Sequence, residues 1–491
     1  MDKKMCFNQL QLKLLIILTI FINFSGVFHP LVRNDDPLLY ANIAKHIVLT
    51  NDWLNLKFNQ ADWLDKPHFL FWVTAISFKI FGINSFAYIL PGFLFHILGA
   101  YYTYLLAKTL YNNPDVGLIA ALLYLTSLHL LISALDVRAE AYLLGEIMGA
   151  AYYWYQYDRS YKFSVKYLVL GSVFTAMAIM TKGIFVIITI MSGLIFVWAY
   201  TKQLSNLIKL KWLFALMLSL LFILPEIYAL YWQFDLHPEK LVFGRYNVSG
   251  VKWFFWDSQF GRFFNSGPIT VNHVQNYHYL FFLHTFLWSF LPWSALLIYA
   301  SIRYSRLLYG SKLALEKIRI CYLFGSFIPT FILFSCTKFQ LDHYTNIIIP
   351  FAAILCAGFI YEAAMGEYKI AGWLLYLQVW LAYTLAFAAV ILSVFIFGNK
   401  WLILIVGVGL FMLVLFILFM HKDELTKAYL YPTLAINLVF LFMLQINEVN
   451  AKYDVGYQIS RYINHQIQHS VVDYNVDSLT LEFYTNPNTI Y

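Results

Sequence analysis

Apolar stretches of about 20 residues recur along almost the whole of this chain, each long enough at ~1.5 Å rise per residue to cross a hydrocarbon layer. That recurrence excludes folding around one water-soluble core. A segment in lipid must satisfy its backbone hydrogen bonds internally, and an α-helix does so. The stretches fall at 11–30, 86–111, 117–134, 139–157, 166–181, 183–200, 211–232, 279–300, 318–335, 343–361, 371–397, 401–420 and 427–446. The expected fold class is therefore an all-α polytopic membrane protein with roughly thirteen spans. At Thr181-Lys182-Gly183 both flanking halves are short, so a tilted pair or a re-entrant hairpin stands beside two full crossings there.

Lys and Arg in short loops set the orientation. With the N-terminus inside, the inner loops receive Arg159, Lys162 and Lys166, then Lys202, Lys209 and Lys211. Arg303, Arg306, Lys312, Lys317 and Arg319 follow, and finally Lys422 and Lys427. Lys3, Lys4 and Lys13 precede an apolar run without a small-x-small cleavage site, which reads as an uncleaved first span. One transmembrane module, 1–446, then carries two long outer segments, 31–85 and 233–278. Residues 67–81 are aromatic but too short to span and read as an interfacial helix. Residues 447–491 form a short outer α/β segment, helical around 456–468 with strands at 471–474 and 479–484, that packs on the outer loops and reads as part of a larger one.

The net charge of +7 is scattered over loops with no Lys/Arg run, which argues against nucleic-acid binding. Cys6, Cys321, Cys336 and Cys356 form no paired motif and read as small core hydrophobes. Charged residues are 12% of the chain, so an ionisable cluster here is either solvated or used. On the outer side such clusters are Asp35-Asp36, Asp65-Lys66-Pro67, Asp136-Val137-Arg138 with Glu140, Arg262, and Lys338 with His343-Tyr344. Singly, each has a plain structural reading. Asp35-Asp36 before Pro37 suits a helix N-cap, Asp136 and Arg138 suit a loop ion pair, and Lys66 and Arg262 suit lipid headgroups. Jointly, carboxylates and cations at the mouth of a helical bundle suit transfer from an anionic lipid-linked donor. The cations stabilise phosphate charge, and a carboxylate takes a proton from the incoming hydroxyl.

Six blocks in order extend that reading: "DDPLLYANIAKHIVLTNDWL" followed by "LDKPHFLFW", then "DVRAE", "MTKG", "GRFF" before "FLPW", and "KFQLDHY". Over about the first 360 residues the chain resembles the GT-C membrane glycosyltransferases of the protein O-mannosyltransferase and aminoarabinose (lipid A) transferase group. The resemblance implies a GT-C-like fold and inverting sugar transfer from a polyprenyl-phosphate donor to a glycolipid or protein acceptor. It places the enzyme in the inner membrane with its site on the periplasmic face. It implies Asp36 as the catalytic carboxylate (Asp35 in the alternative register), Asp136 as the second acidic position, and Lys66 and Arg262, with Arg138, at the donor phosphate. Tyr40, Glu140, Lys338, His343 and Tyr344 would line the donor and acceptor pocket. Some relatives pair a Glu before the Lys with a His upstream of the Arg, a set suited to a divalent metal. Here Asp65 and Ser258-Gln259 hold those places, leaving Asp65 as the one candidate ligand and no cofactor otherwise implied.

A lipid-linked sugar flippase or other transporter, and a ligase moving whole glycans, are the alternatives. A transporter would place ionisable groups near the bilayer midplane, where Glu146 and Glu226 are the main candidates.

Overall fold

The computed structural model describes residues 9–32, 35–59, 61–270, 280–310, 314–397, 424–466 and 478–486. The 401–420 span and the 471–474 strand expected from sequence lie outside these. The first half runs through α1 (Gln9–Ser25), α2 (Asp36–Thr50), α3 (Phe69–Phe81), α4 (Ser85–Tyr111), α5 (Pro114–Leu125), α6 (Leu128–Leu135), α7 (Ala139–Arg159), α8 (Val165–Lys182), α9 (Val186–Tyr200) and α10 (Leu210–Leu230). After a loop come α11 (Gly250–Lys252) and α12 (Ser258–Phe264), joined by a π-helical turn at Trp253–Asp257. The second half contains α13 (Phe281–Ser289), α14 (Ser294–Gly310), α15 (Ala314–Cys336), α16 (Ile349–Ala364), α17 (Gly372–Phe397), α18 (Glu424–Tyr453), α19 (Val455–Gln466) and α20 (Leu479–Tyr484).

Among the described residues eight helices are long and apolar enough to cross a membrane, or ten if each of two bent pairs is one span. The difference from thirteen has local causes. The 117–134 stretch is α5 and α6, bent by 60°, and the 279–300 stretch is divided between α13 and α14, bent by 112°. The 183–200 stretch gives only the 15-residue α9, while α7 carries Glu140, Glu146, Asp158 and Arg159 among its apolar residues.

Burial separates inner from outer helices. In α16 and the 3-10 turn before it (Asp342–Ile348), 89% of the apolar window is inside the protein. For α10 and α17 the shares are 33% and 22%. A helix apolar all round that buries so little presents Leu213, Leu216, Met217, Leu220 and their like outward, as lipid contact requires. Helix α3 buries Leu70, Phe71, Ala75 and Phe78 and leaves the apolar Ile76, Ile80 and Phe81 exposed. The only strands among the described residues are the hairpin β1 (Lys57–Phe58) and β2 (Ala61–Asp62), antiparallel with Lys57 opposite Asp62. Cys356 is buried as expected of a small hydrophobe, whereas Cys336 is exposed.

The segment expected as a strand at 479–484 is helical instead. Ser478 Oγ caps α20 by accepting from Leu481 N at 3.2 Å. Its carbonyls are taken by α2: Asn42 Nδ2 donates to Leu479 O at 3.0 Å, and Lys45 Nζ donates to Glu482 O, Phe483 O and Thr485 O at 2.6, 3.1 and 2.9 Å. An ammonium at a helix C-terminus meets orphan carbonyls that would otherwise need water. Tyr484 Oη accepts from Leu31 N at 2.7 Å and lies 2.6 Å from Ser85 Oγ, so the segment does pack on the first loop. Replacing Lys45 with Met leaves these carbonyls unmet at a cost of about 2 kcal/mol. Limited proteolysis of Lys45→Met in detergent should release the C-terminal segment several-fold faster than in the wild type; identical digestion would contradict this docking.

Candidate active site

Asp35 is the N-cap of α2: its Oδ1 accepts from Asp36 N at 2.8 Å, and Pro37 sits in the first turn. The cap fixes where Asp36 emerges. Across from it, Asp136 ends α6 and Arg138 precedes α7, with Val137 buried between them. Tyr88 Oη donates to Val137 O at 2.8 Å, and α4 passes so close that a Cβ on Gly92 would lie 2.5 Å from Val137 Cγ1. Arg138 is thereby held with Nη2 2.5 Å from Asp35 Oδ2, Nη1 3.0 Å from Asp36 Oδ2 and Nε 3.2 Å from Asp136 Oδ2. Burial opposes the charge on Arg138, but the three aspartates outweigh it and raise its pKa.

A second charge group faces the first. Lys66 Nζ lies 2.5 Å from Asp65 Oδ2, and Arg262 of α12 pairs with Asp65 Oδ1 while donating to Asp65 O at 2.9 Å. Burial alone would raise the Asp65 carboxyl, yet Lys66 and Arg262 hold it at about 2. Burial, then the charge of Arg262, lowers Lys66 below the usual lysine range, with Asp65 and Asp36 opposing. Lys182 closes the group. It ends α8, pairs with Glu140, lies 4.1 Å from the Tyr344 ring centroid, and feels Lys66, Arg262, Asp36 and Arg138 electrostatically. From Glu140 the network continues to His343 Nε2 (3.8 Å), Asp342 (3.2 Å from His343 Nδ1) and His129.

Lys182 and Arg262 stand at one wall of a cavity of about 470 Å³ whose other walls are apolar, among them Phe185, Ile188, Phe263 and Phe334. A cleft of about 10 Å³, with Asp65 and Lys66 in its lining, shares Lys182, Ser258, Gln259 and Arg262 with it. The result is an apolar groove ending in cations.

The first outer segment is pinned to α10 and to the start of the second outer segment at further points. His68 N and Nδ1 lie 3.0 and 2.9 Å from the buried Glu226 carboxylate. Gln233 exchanges two hydrogen bonds with the backbone of Leu56, at 3.0 and 2.8 Å.

Of the residues expected from sequence, Asp35, Asp36, Asp136, Arg138, Lys66, Arg262, Tyr344, Glu140 and His343 belong to this connected set. Tyr40 is buried one turn from Asp36, its ring 5.6 Å from that of Phe71. Two placements differ from expectation. Arg138, expected at the donor phosphate, directs Nε, Nη1 and Nη2 at carboxylates. Lys338 donates its backbone N–H to Phe263 O at 3.0 Å beside Arg262, but its side chain is exposed. Asp65 suits a metal poorly, because Lys66 and Arg262 occupy both its oxygens. Among the described residues no group of three His, Cys, Asp or Glu side chains is arranged to hold an ion.

Sequence reasoning treated Lys182 as a boundary and gave it no role. The available signal was a lysine flanked by two apolar halves and followed by Gly183, since an intramembrane charge is a functional candidate by default. It also left His68 out as the partner that the mid-span Glu226 required.

Residues 65–232 match the family described as dolichyl-phosphate-mannose-protein mannosyltransferase. The chain is 25% identical over 350 residues, 68% of its length, to undecaprenyl phosphate-alpha-4-amino-4-deoxy-L-arabinose arabinosyl transferase 2 of Proteus mirabilis. It is 24% identical over 333 residues, 67% of its length, to the corresponding transferase of Edwardsiella ictaluri. These matches span 57% and 56% of the two relatives' lengths. In fold the chain is similar to ArnT of Cupriavidus metallidurans bound to undecaprenyl phosphate, with a TM-score of 0.73 at 17% identity over 97% of this chain and 85% of that one.

Two substitutions test how this site is held. Gly183 has φ 105° and ψ −177°, a conformation essentially restricted to glycine, and an added Cβ would lie 2.2 Å from Gln259 Nε2. Gly183→Ala should cost about 1–3 kcal/mol and displace Lys182; an unchanged thermal midpoint in detergent would contradict the strain. Glu226→Leu leaves the buried His68 ring and backbone N–H without their acceptor and should cost about 1–3 kcal/mol, with Glu226→Gln milder. Equal midpoints for all three proteins would show that the pair holds nothing.

Proposed function

We propose, from the premise that this chain has the GT-C fold of the aminoarabinose-transferase-like group, that it moves a sugar from a polyprenyl-phosphate donor to an acceptor at the outer membrane face. The observation that carries this reading is the apolar cavity ending at Lys182 and Arg262, with Lys66 in the adjoining cleft. A polyprenyl chain suits the apolar walls. Its phosphate suits three cations that the protein itself leaves only partly neutralised.

In the transfer, the bond between the anomeric carbon and the phosphate oxygen breaks as the acceptor oxygen attacks from the opposite side, so configuration inverts. The electron pair stays on the phosphate, where Lys66, Lys182 and Arg262 stabilise the growing charge in a site screened from water. Asp36 directs only Oδ2 at Arg138 and orients the acceptor hydroxyl or takes its proton. An acceptor that is itself a phosphate needs no base, and Asp36 then acts electrostatically. Arg138 is a positioning residue here, setting Asp36 through the triad it shares with Asp35 and Asp136. Asp65 orients Lys66 and Arg262 in the same way. The names of the relatives favour a pentosyl over a hexosyl donor, and the Lys/Arg distribution of the loops favours an inner-membrane protein with a cytoplasmic N-terminus and a periplasmic site. Of the groups a transporter would use, Glu226 is tied to His68 and Glu146 accepts from Thr181 Oγ1 at 2.9 Å through one oxygen.

In membrane vesicles supplied with a polyprenyl-phosphate sugar, Asp36→Asn should lower transfer by roughly 10²–10⁴-fold while the protein stays folded and binds donor. Wild-type turnover by that variant would refute the assignment. A pH series tests the cation site separately. Lys66 is a cation only below its lowered pKa, so polyprenyl-phosphate affinity should fall on the alkaline side earlier than for an ordinary lysine. Lys66→Arg stays charged and should shift that fall to higher pH; coincident curves would remove Lys66 from the phosphate.

A further inference from the structure

The bundle has a second polar end. Helix α4 starts beside Val137 and finishes at Tyr111, and α7 runs from Ala139, next to Arg138, to Arg159. Helix α8 begins at Val165 and ends at Lys182, while α9 leaves the site at Val186 for Tyr200. Helix α15 enters at Ala314 and reaches the site near Phe334. The far ends of these five helices therefore gather about 25–40 Å from the carboxylates and cations described above. They surround a cavity of about 1250 Å³.

Its lining is amphipathic. Lys108 and Arg159 line it beside aromatic rings, and Arg159 also interacts electrostatically with the neighbouring Asp158. Lys108 Nζ is 5.8 Å from the Tyr104 ring centroid, and Arg159 lies 5.5 Å from the Tyr155 ring with Nη1 donating to Tyr155 Oη at 3.1 Å. Among the described residues neither forms an ion pair within 4 Å. Arg319 also lines the space, but its charge is met by Glu362 at 2.7 Å. The one carboxylate in the lining, Asp158, accepts from Trp198 Nε1 at 3.0 Å. The hydroxyls of Tyr155, Tyr167 and Thr201 border it, and Leu194, Val197 and Ile318 supply an apolar wall.

We propose that this cavity binds the headgroup of an anionic phospholipid, its phosphate between Lys108 and Arg159 and the start of its acyl chains along Val197 and Ile318. Basic pockets between transmembrane helices bind such headgroups, with each Lys or Arg near an anionic surface contributing roughly a five-fold gain. A free phosphate has no use for the apolar wall, and a zwitterionic lipid brings its own ammonium against the two cations. The site is separate from the transfer chemistry, so its test stands whether or not that reading holds.

The test is a titration of the full-length protein in detergent, following thermal midpoint and intrinsic tyrosine and tryptophan fluorescence. The probes are short-chain phosphatidylglycerol, short-chain phosphatidylcholine and inorganic phosphate. Phosphatidylglycerol should raise the midpoint saturably, and the other two should not. The double variant Lys108→Gln/Arg159→Gln should bind it roughly 30-fold more weakly, and each single variant roughly five-fold more weakly. The single variants serve if the double variant fails to fold. An equal response to phosphatidylcholine, a full response to phosphate alone, or wild-type affinity in the Lys108 and Arg159 variants would each overturn the proposal.

Discussion

Arg138 donates to Asp35, Asp36 and Asp136 at once, and through it three segments far apart in sequence become one surface. Without the guanidinium, three carboxylates would face one another at the start of α2 and the end of α6, and like charges at that range repel. With it, the α2 cap, the α6 terminus and the α7 start are locked together in a fixed geometry. Asp65 plays the mirror role, holding Lys66 beside it in the first outer segment and Arg262 of α12. A carboxylate group ordered by one arginine thus lies beside a cation group ordered by one aspartate. Each centre is only partly compensated, which leaves the pair suited to a substrate that is itself anionic at one end and polar at the other.

Much of this was legible because membrane proteins place charge so sparingly. Loop lysines and arginines gave a direction, and the direction put Asp36, Lys66, Asp136 and Arg262 on one side before any contact was known. The contacts themselves were not legible. The pairing of His68 with Glu226 joins positions 158 residues apart, and nothing local marks it. Lys182 depends on a break in helical geometry at Gly183, which composition registers only as a doubtful boundary. Arg138 could not be divided between phosphate and carboxylate from spacing alone, because both offer paired anionic oxygens to a guanidinium. The helix at Leu479–Tyr484 reads as a strand by pattern, and it is helical because Asn42 and Lys45 meet its carbonyls.

Among the described residues fewer than thirteen uninterrupted spans are seen, for a related reason. Hydropathy measures how long a segment could stay in lipid, whereas the bends between α5 and α6 and between α13 and α14 are set by packing. Those departures matter for the site. Helix α6 ends at Asp136, and α13 contacts the turn that carries His343 and Tyr344. The bent α6 joins α2, α7 and α8 in bringing polar groups to the bundle's mouth, while α10 and α17 carry apolar surface outward.

The central claim is that Lys66, Lys182 and Arg262 hold a lipid phosphate whose chain fills the adjoining apolar cavity. Photo-crosslinking in native membranes tests it most directly, using a polyprenyl phosphate with a photoreactive group on its first isoprene unit and mapping the adducts by mass spectrometry. Adducts at 184–188 and 260–264, competed by unlabelled polyprenyl phosphate and not by neutral polyprenol, are the predicted result. Adducts elsewhere on the bundle, or equal competition by polyprenol, would contradict it.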